Sequence, residues 1–156
     1  MLAGYFIRKD NNRLFKIYHL AKENKDEESD KKGISIFCVT AFILELLPNG
    51  VVLCFANPDG EPWVKTYSYF SLLPFGYANF GPLITAILTC VLLILVAIGW
   101  FKFSRGLNIA LMNVSGFATV TAFLPLMYGI EYMTPLGVVI GLLMAATFGI
   151  CFIKGK

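Results

Sequence analysis

The sequence predicts an all-α membrane protein: a bundle of four transmembrane helices, a small extracellular β-hairpin in the first outer loop, and both termini in the cytoplasm. Three observations predict it. Of the 156 residues, 57% are hydrophobic, against about 45–50% for a soluble domain. The excess lies in long runs after Lys32, the pattern of membrane spans rather than of a soluble core. Charge is segregated as well: eight of the 13 Lys/Arg and six of the 10 Asp/Glu precede Gly33. The chain therefore reads as a polar cytoplasmic tail, residues 1–32, and a transmembrane domain, residues 33–156. The net charge of +3 belongs mostly to the tail and loops, with no basic stripe or reader motif for nucleic acid.

The tail opens with "MLAGYFI", too short to span a bilayer, and turns basic only afterwards. A cleavable signal peptide has the reverse order, so the first span acts as an uncleaved anchor. Within "RLFKIYHLAKENK", Leu14, Tyr18 and Ala21 share one helical face ringed by basic residues. That segment is an amphipathic helix on the inner membrane surface or a tail helical only at times; both readings stay open. "KDEESDKK" reads as a mixed-charge linker, and the single histidine, His19, as a surface residue.

The first span ends in one of two places. A helix from Ile34 to Phe55 passes through Pro48, Asn49 and Gly50; proline removes a hydrogen bond there and glycine adds a cost. Glu45 then lies near mid-membrane, where an acid is functional by default. The favoured alternative spans about residues 31–47 and leaves at Pro48-Asn49-Gly50. "VVLCFA" becomes a strand, "NPDG" a turn and "WVKTYSYF" the returning strand. Pro58, Asp59 and Gly60 suit successive turn positions after Asn57, and the flanking Val, Thr, Tyr, Phe and Trp favour strands. The pairing expected is Phe55 with Trp63, Leu53 with Lys65 and Val51 with Tyr67. Glu45 then sits within about one helical turn of the outer surface, where an acid reaches water. Such a hairpin is unstable alone and must pack on the bundle, within an outer loop of residues 48–79.

The second span, about 80–103, carries no charge before Lys102 and ends in Trp100 and Phe101, residues of the interfacial belt. The third, about 107–128, contains Asn108, Asn113, Ser115, Thr119 and Thr121, which avoid lipid by facing other helices; Pro125 bends its last turn. The fourth, about 135–153, repeats small residues every four positions: Gly137, Gly141, Ala145 and Gly149. They make a groove where another backbone approaches closely, either within the bundle or in a second protein. The short link before it carries Glu131, a second candidate functional acid.

Positive charge orients the spans. The tail has eight Lys/Arg; Lys102 and Arg105 lie between spans two and three, Lys154 and Lys156 at the end, and only Lys65 in the first outer loop. Positive residues stay in the cytoplasm, giving a multi-pass protein of the cell membrane with both termini inside.

Cys38, Cys54, Cys90 and Cys151 form no CxxC pair and read as packing residues. No phosphate-binding loop, GxSxG or HExxH motif occurs. The expectation is a protein without catalytic, metal or cofactor residues. "FANPDGEPW" and "YSYFSLLPFGYANFGPLITAILTCVLLIL" resemble small four-span proteins of Gram-positive bacteria, a likeness over about residues 33–156 that implies no activity. In topology alone the chain resembles the claudin superfamily, but the loop pairs Trp63 and Cys54 with no second cysteine. An acid in the first span also resembles the small multidrug transporters, whose loops are far shorter. The function expected is non-enzymatic interaction or assembly in the bilayer, through the small-residue groove and the hairpin (Phe55, Asn57, Pro58, Asp59, Gly60, Trp63). The partner is another membrane protein or a second copy. The alternative is a small transporter or channel subunit using Glu45.

Overall fold

The computed structural model describes residues 2–55, 63–76, 79–101 and 104–155. They fall into two compact units, Met1–Lys32 and Gly33–Lys156. Helix α1 (Leu2–Leu46) contributes to both. Strands β1 (Val51–Phe55) and β2 (Trp63–Tyr67), a short helix α2 (Leu72–Gly76), and helices α3 (Gly81–Phe101), α4 (Arg105–Ala122) and α5 (Pro135–Gly155) follow. Two 3-10 turns, Leu124–Tyr128 and Ile130–Tyr132, join α4 to α5.

In the first unit the expected linker is instead helix. The cause is spacing. Glu27 pairs with Lys31 at 2.9 Å and Glu28 with Lys32 at 2.7 Å, each glutamate one turn before its lysine, the arrangement that supports a helix. The hydrogen bond from Lys32, and then its charge, hold the Glu28 carboxyl below its ordinary range.

In the second unit, three helices are long and apolar enough to cross a membrane: Gly81–Phe101, Arg105–Tyr128 with its 3-10 turn, and Pro135–Lys154. Helix α1 beyond Lys32 is roughly 20 Å long. Its inward stripe is Ile34, Cys38, Ala41 and Glu45, while Ile36, Val39, Ile43 and Leu46 are exposed. The stripe steps by four, three and four, which keeps one face of a helix turned the same way. The other helices do the same. Leu111, Ser115, Ala118 and Ala122 are buried on α4, and Ile140, Met144, Thr147 and Cys151 on α5. Ile34, Cys38, Ala41, Leu92, Leu111, Ala118, Met144 and Cys151 together form one apolar cluster.

The helix ends have local causes. Helix α1 stops at Leu46, before Pro48, and β1 begins at Val51, so the reading of one helix through to Phe55 is excluded. The Ser104 side chain accepts from the Leu107 N–H at 3.3 Å and caps α4. Helix α4 ends at Ala122, since the residue before Pro125 and the missing proline N–H disfavour a further turn. Gly129, at φ 133°, takes the chain between the two 3-10 turns in a backbone region that side chains avoid. Thr134 caps α5 by accepting from the Gly137 N–H at 2.9 Å, with Pro135 in the first helical position.

The strands pair antiparallel with Val51 opposite Tyr67, Leu53 opposite Lys65 and Phe55 opposite Trp63, the register read from the sequence. Val51 and Leu53 are buried; Val64, Lys65 and Thr66 are exposed. The turn residues Asn57, Pro58, Asp59 and Gly60 lie outside the described residues. A second apolar cluster, Val51, Tyr69, Ala86 and Ile140, seats the sheet on α3 and α5.

Candidate functional site

Glu45 lies at the C-terminal end of α1, and its side chain is fully enclosed. The expectation from the sequence was an interface carboxylate that reaches water; the structure instead encloses it. Depth along a helix does not decide which way a side chain faces. Glu45 continues the stripe of Ile34, Cys38 and Ala41, so it points inward. Thr89 of α3 donates from Oγ1 to Glu45 Oε1 at 2.7 Å, while Oε2 has no hydrogen-bond partner among the described residues. The same hydroxyl also approaches the Thr85 carbonyl at 3.0 Å, which fixes its position.

The ladder continues one turn away. Thr85 Oγ1 lies 2.9 Å from the Gly81 carbonyl and 2.8 Å from Thr121 Oγ1 on α4. Polar residues of α3 and α4 thus meet inside the bundle, as polar groups in an apolar surrounding must. On α4, Asn108 donates to the Cys151 carbonyl at 3.1 Å, and Ser115 is buried against the Leu111 carbonyl at 2.7 Å. Asn113 departs from expectation: it is exposed, because its position falls opposite the Leu111–Ser115 face.

Backbone bonds tie the hairpin to the same place. The Tyr69 N–H donates to the Glu45 carbonyl at 3.1 Å. Thr134 Oγ1 donates to the Gly50 carbonyl at 2.8 Å while accepting from α5. The Tyr69 side chain is 2% exposed, and burial, with the nearby Glu45 charge as a lesser cause, raises its hydroxyl above the ordinary range. Thr89, Tyr69 and Thr134 were not singled out from sequence. The four- and three-residue steps through Glu45 and through Thr85, Thr89 and Leu92 were the signal that could have found the first.

The small-residue stripe of α5 is divided. A Cβ on Gly137 would stand 3.1 Å from Thr134 Oγ1 and from the Tyr69 hydroxyl; one on Gly141 would stand 2.7 Å from the Phe123 ring. Those two glycines receive neighbours from this same chain. Ala145 is half-buried, and a Cβ on Gly149 would meet nothing within 4 Å. Glu131 lies exposed in the second 3-10 turn, so the two candidate acids occupy opposite environments, one at the surface and one enclosed. Among the described residues no cluster of three His, Cys, Asp or Glu gathers around a point. The chain matches no known protein family, curated protein or solved structure in the three comparisons made.

Proposed function

We propose that this chain is a four-span protein of the cell membrane, with both termini in the cytoplasm, that works by contact rather than by catalysis. It presents its hairpin to another membrane protein or a second copy. The carrying observation is the hairpin's attachment. Two strands are unstable alone, yet these are fixed by Tyr69 N–H to Glu45, by Thr134 to Gly50 and by burial of Val51 and Tyr69. The bonds hold β2 in place with Val64, Lys65 and Thr66 exposed.

The exposed side of α1 supports its place as the first span. Ile36, Val39, Ile43 and Leu46 are apolar where a helix in water would carry polar residues. Lys102, Arg105, Lys154 and Lys156 against the single Lys65 of the hairpin loop support the orientation. The test is a photo-crosslinking residue at Val64, Lys65 or Thr66 of the full chain in cells. A discrete adduct, absent when the residue is moved to Ile94, is the expected result. No adduct from any of the three positions sinks the reading.

The enclosed carboxyl favours a second reading, a small transporter or channel subunit using Glu45. It predicts ion- or proton-dependent flux in proteoliposomes that disappears in Glu45→Gln. Flux unchanged by that substitution removes Glu45 from the mechanism.

A further inference from the structure

A pocket of about 230 Å³ opens at the hairpin end, lined by Leu53, Cys54 and Phe55 of β1, by Asn79, and by Tyr128 and Tyr132 of the 3-10 turns. Asn79 is 5% exposed, and neither its amide oxygen nor its amide nitrogen has a hydrogen-bond partner among the described residues. Its backbone is fixed: the N–H donates to the Pro74 carbonyl at 3.0 Å. Buried amides are nearly always paired. One held in place against a pocket wall, with donor and acceptor both unused among the described residues, calls for a partner.

We propose that this pocket binds a small, uncharged, planar molecule carrying a hydrogen-bond donor and acceptor side by side, as a carboxamide does. Each feature has its reason. The asparagine amide offers an adjacent acceptor and donor, which a second amide meets with two parallel bonds. The walls supply aromatic faces: the Tyr128 and Tyr132 rings stand 6.4 Å apart at 65°, and flat apolar bodies pack well on such rings. None of the described lining residues is acidic or basic, so among them a charged ligand would find no counter-charge, at high cost. The volume lies below the roughly 300 Å³ at which sites for drug-sized ligands begin. The site requires neither the fourth span nor the membrane orientation of the preceding proposal.

The probe is benzamide, titrated into the full chain in nanodiscs and followed by saturation transfer from protein to ligand. Saturable binding is expected. N,N-dimethylbenzamide, which keeps the acceptor and loses the donor, and benzoate, which is charged, should each bind at least about tenfold more weakly. Asn79→Ala should weaken benzamide by a similar factor. Cys54→Phe fills the pocket from the strand side and should abolish binding with Asn79 intact, so the test survives a failure of Asn79→Ala to fold. The proposal is overturned by the absence of saturable benzamide binding up to about 10 mM. It is equally overturned if dimethylation makes no difference or if binding persists in folded Cys54→Phe.

Discussion

The two clusters inside the bundle are built on different rules. The larger, from Ile34 to Cys151, is filled by Leu, Ile, Ala, Met and Cys side chains, with Asn108 as a cross-helix tie. The smaller, beneath the hairpin, is threaded by directed bonds: Thr89 to Glu45, Thr85 with Thr121, and Thr134 to Gly50. One region is specified by volume and the other by bond geometry. Apolar helices gain little from mutual burial when their surroundings are equally apolar, so fit and hydrogen bonds decide which faces meet. The smaller cluster fixes register, and the larger one fills space.

Overfilling gives the strongest test. Gly141→Leu drives a side chain into the Phe123 ring and should lower stability by about 3 kcal/mol in denaturant titrations of the purified protein. A loss near zero would mean that the ring moves aside and the stripe is open to a partner after all. Thr89→Val keeps the volume and removes the bond to Glu45; the expected loss is about 1–2 kcal/mol. Leu92→Met, a volume-conserving change in the larger cluster, should cost less than about 1 kcal/mol. If the methionine variant proves the weaker of the two, the contrast between the clusters is inverted.

Gly149→Leu points into open space and should leave folding stability within about 0.5 kcal/mol. A change in oligomeric state in that variant, read by crosslinking, would assign the open end of the stripe to a protein contact. The smallest effect lies in the tail. The Glu28 carboxyl is held low by Lys32, so its help to the helix is present above the usual carboxylate value of about 4.3 and fades as pH falls through the lower folded value. Amide protection over residues 25–32, taken relative to the intrinsic exchange rate at each pH, should fall on acidification, and Glu28→Gln should reduce that dependence.

How much of this was written in the chain follows from the range of each interaction. The hairpin register was legible because strand formers flank a turn sequence, and Pro48 marked the helix end; both are local. The inward face of Glu45 was also present, in the steps from Ile34 through Cys38 and Ala41, but position along the helix obscured its phase. The helical "KDEESDKK" segment was misread because mixed charge suggests a linker, although its Glu-to-Lys spacing suits a helix. Thr89, Thr134 and Asn79 were beyond reach. Their importance depends on which carbonyl, carboxylate or ring lies opposite, and a single sequence does not state which helices are neighbours.

The bond from Thr134 to Gly50 joins positions 84 residues apart. During synthesis the hairpin emerges long before its clasp does, since the carbonyl of Gly50 must wait for the start of the last helix. The hairpin is therefore made well before it is fully secured. A nascent chain halted before Thr134 carries a hairpin held at Glu45 but without this second anchor, so the full attachment of the hairpin follows the arrival of the C-terminal helix.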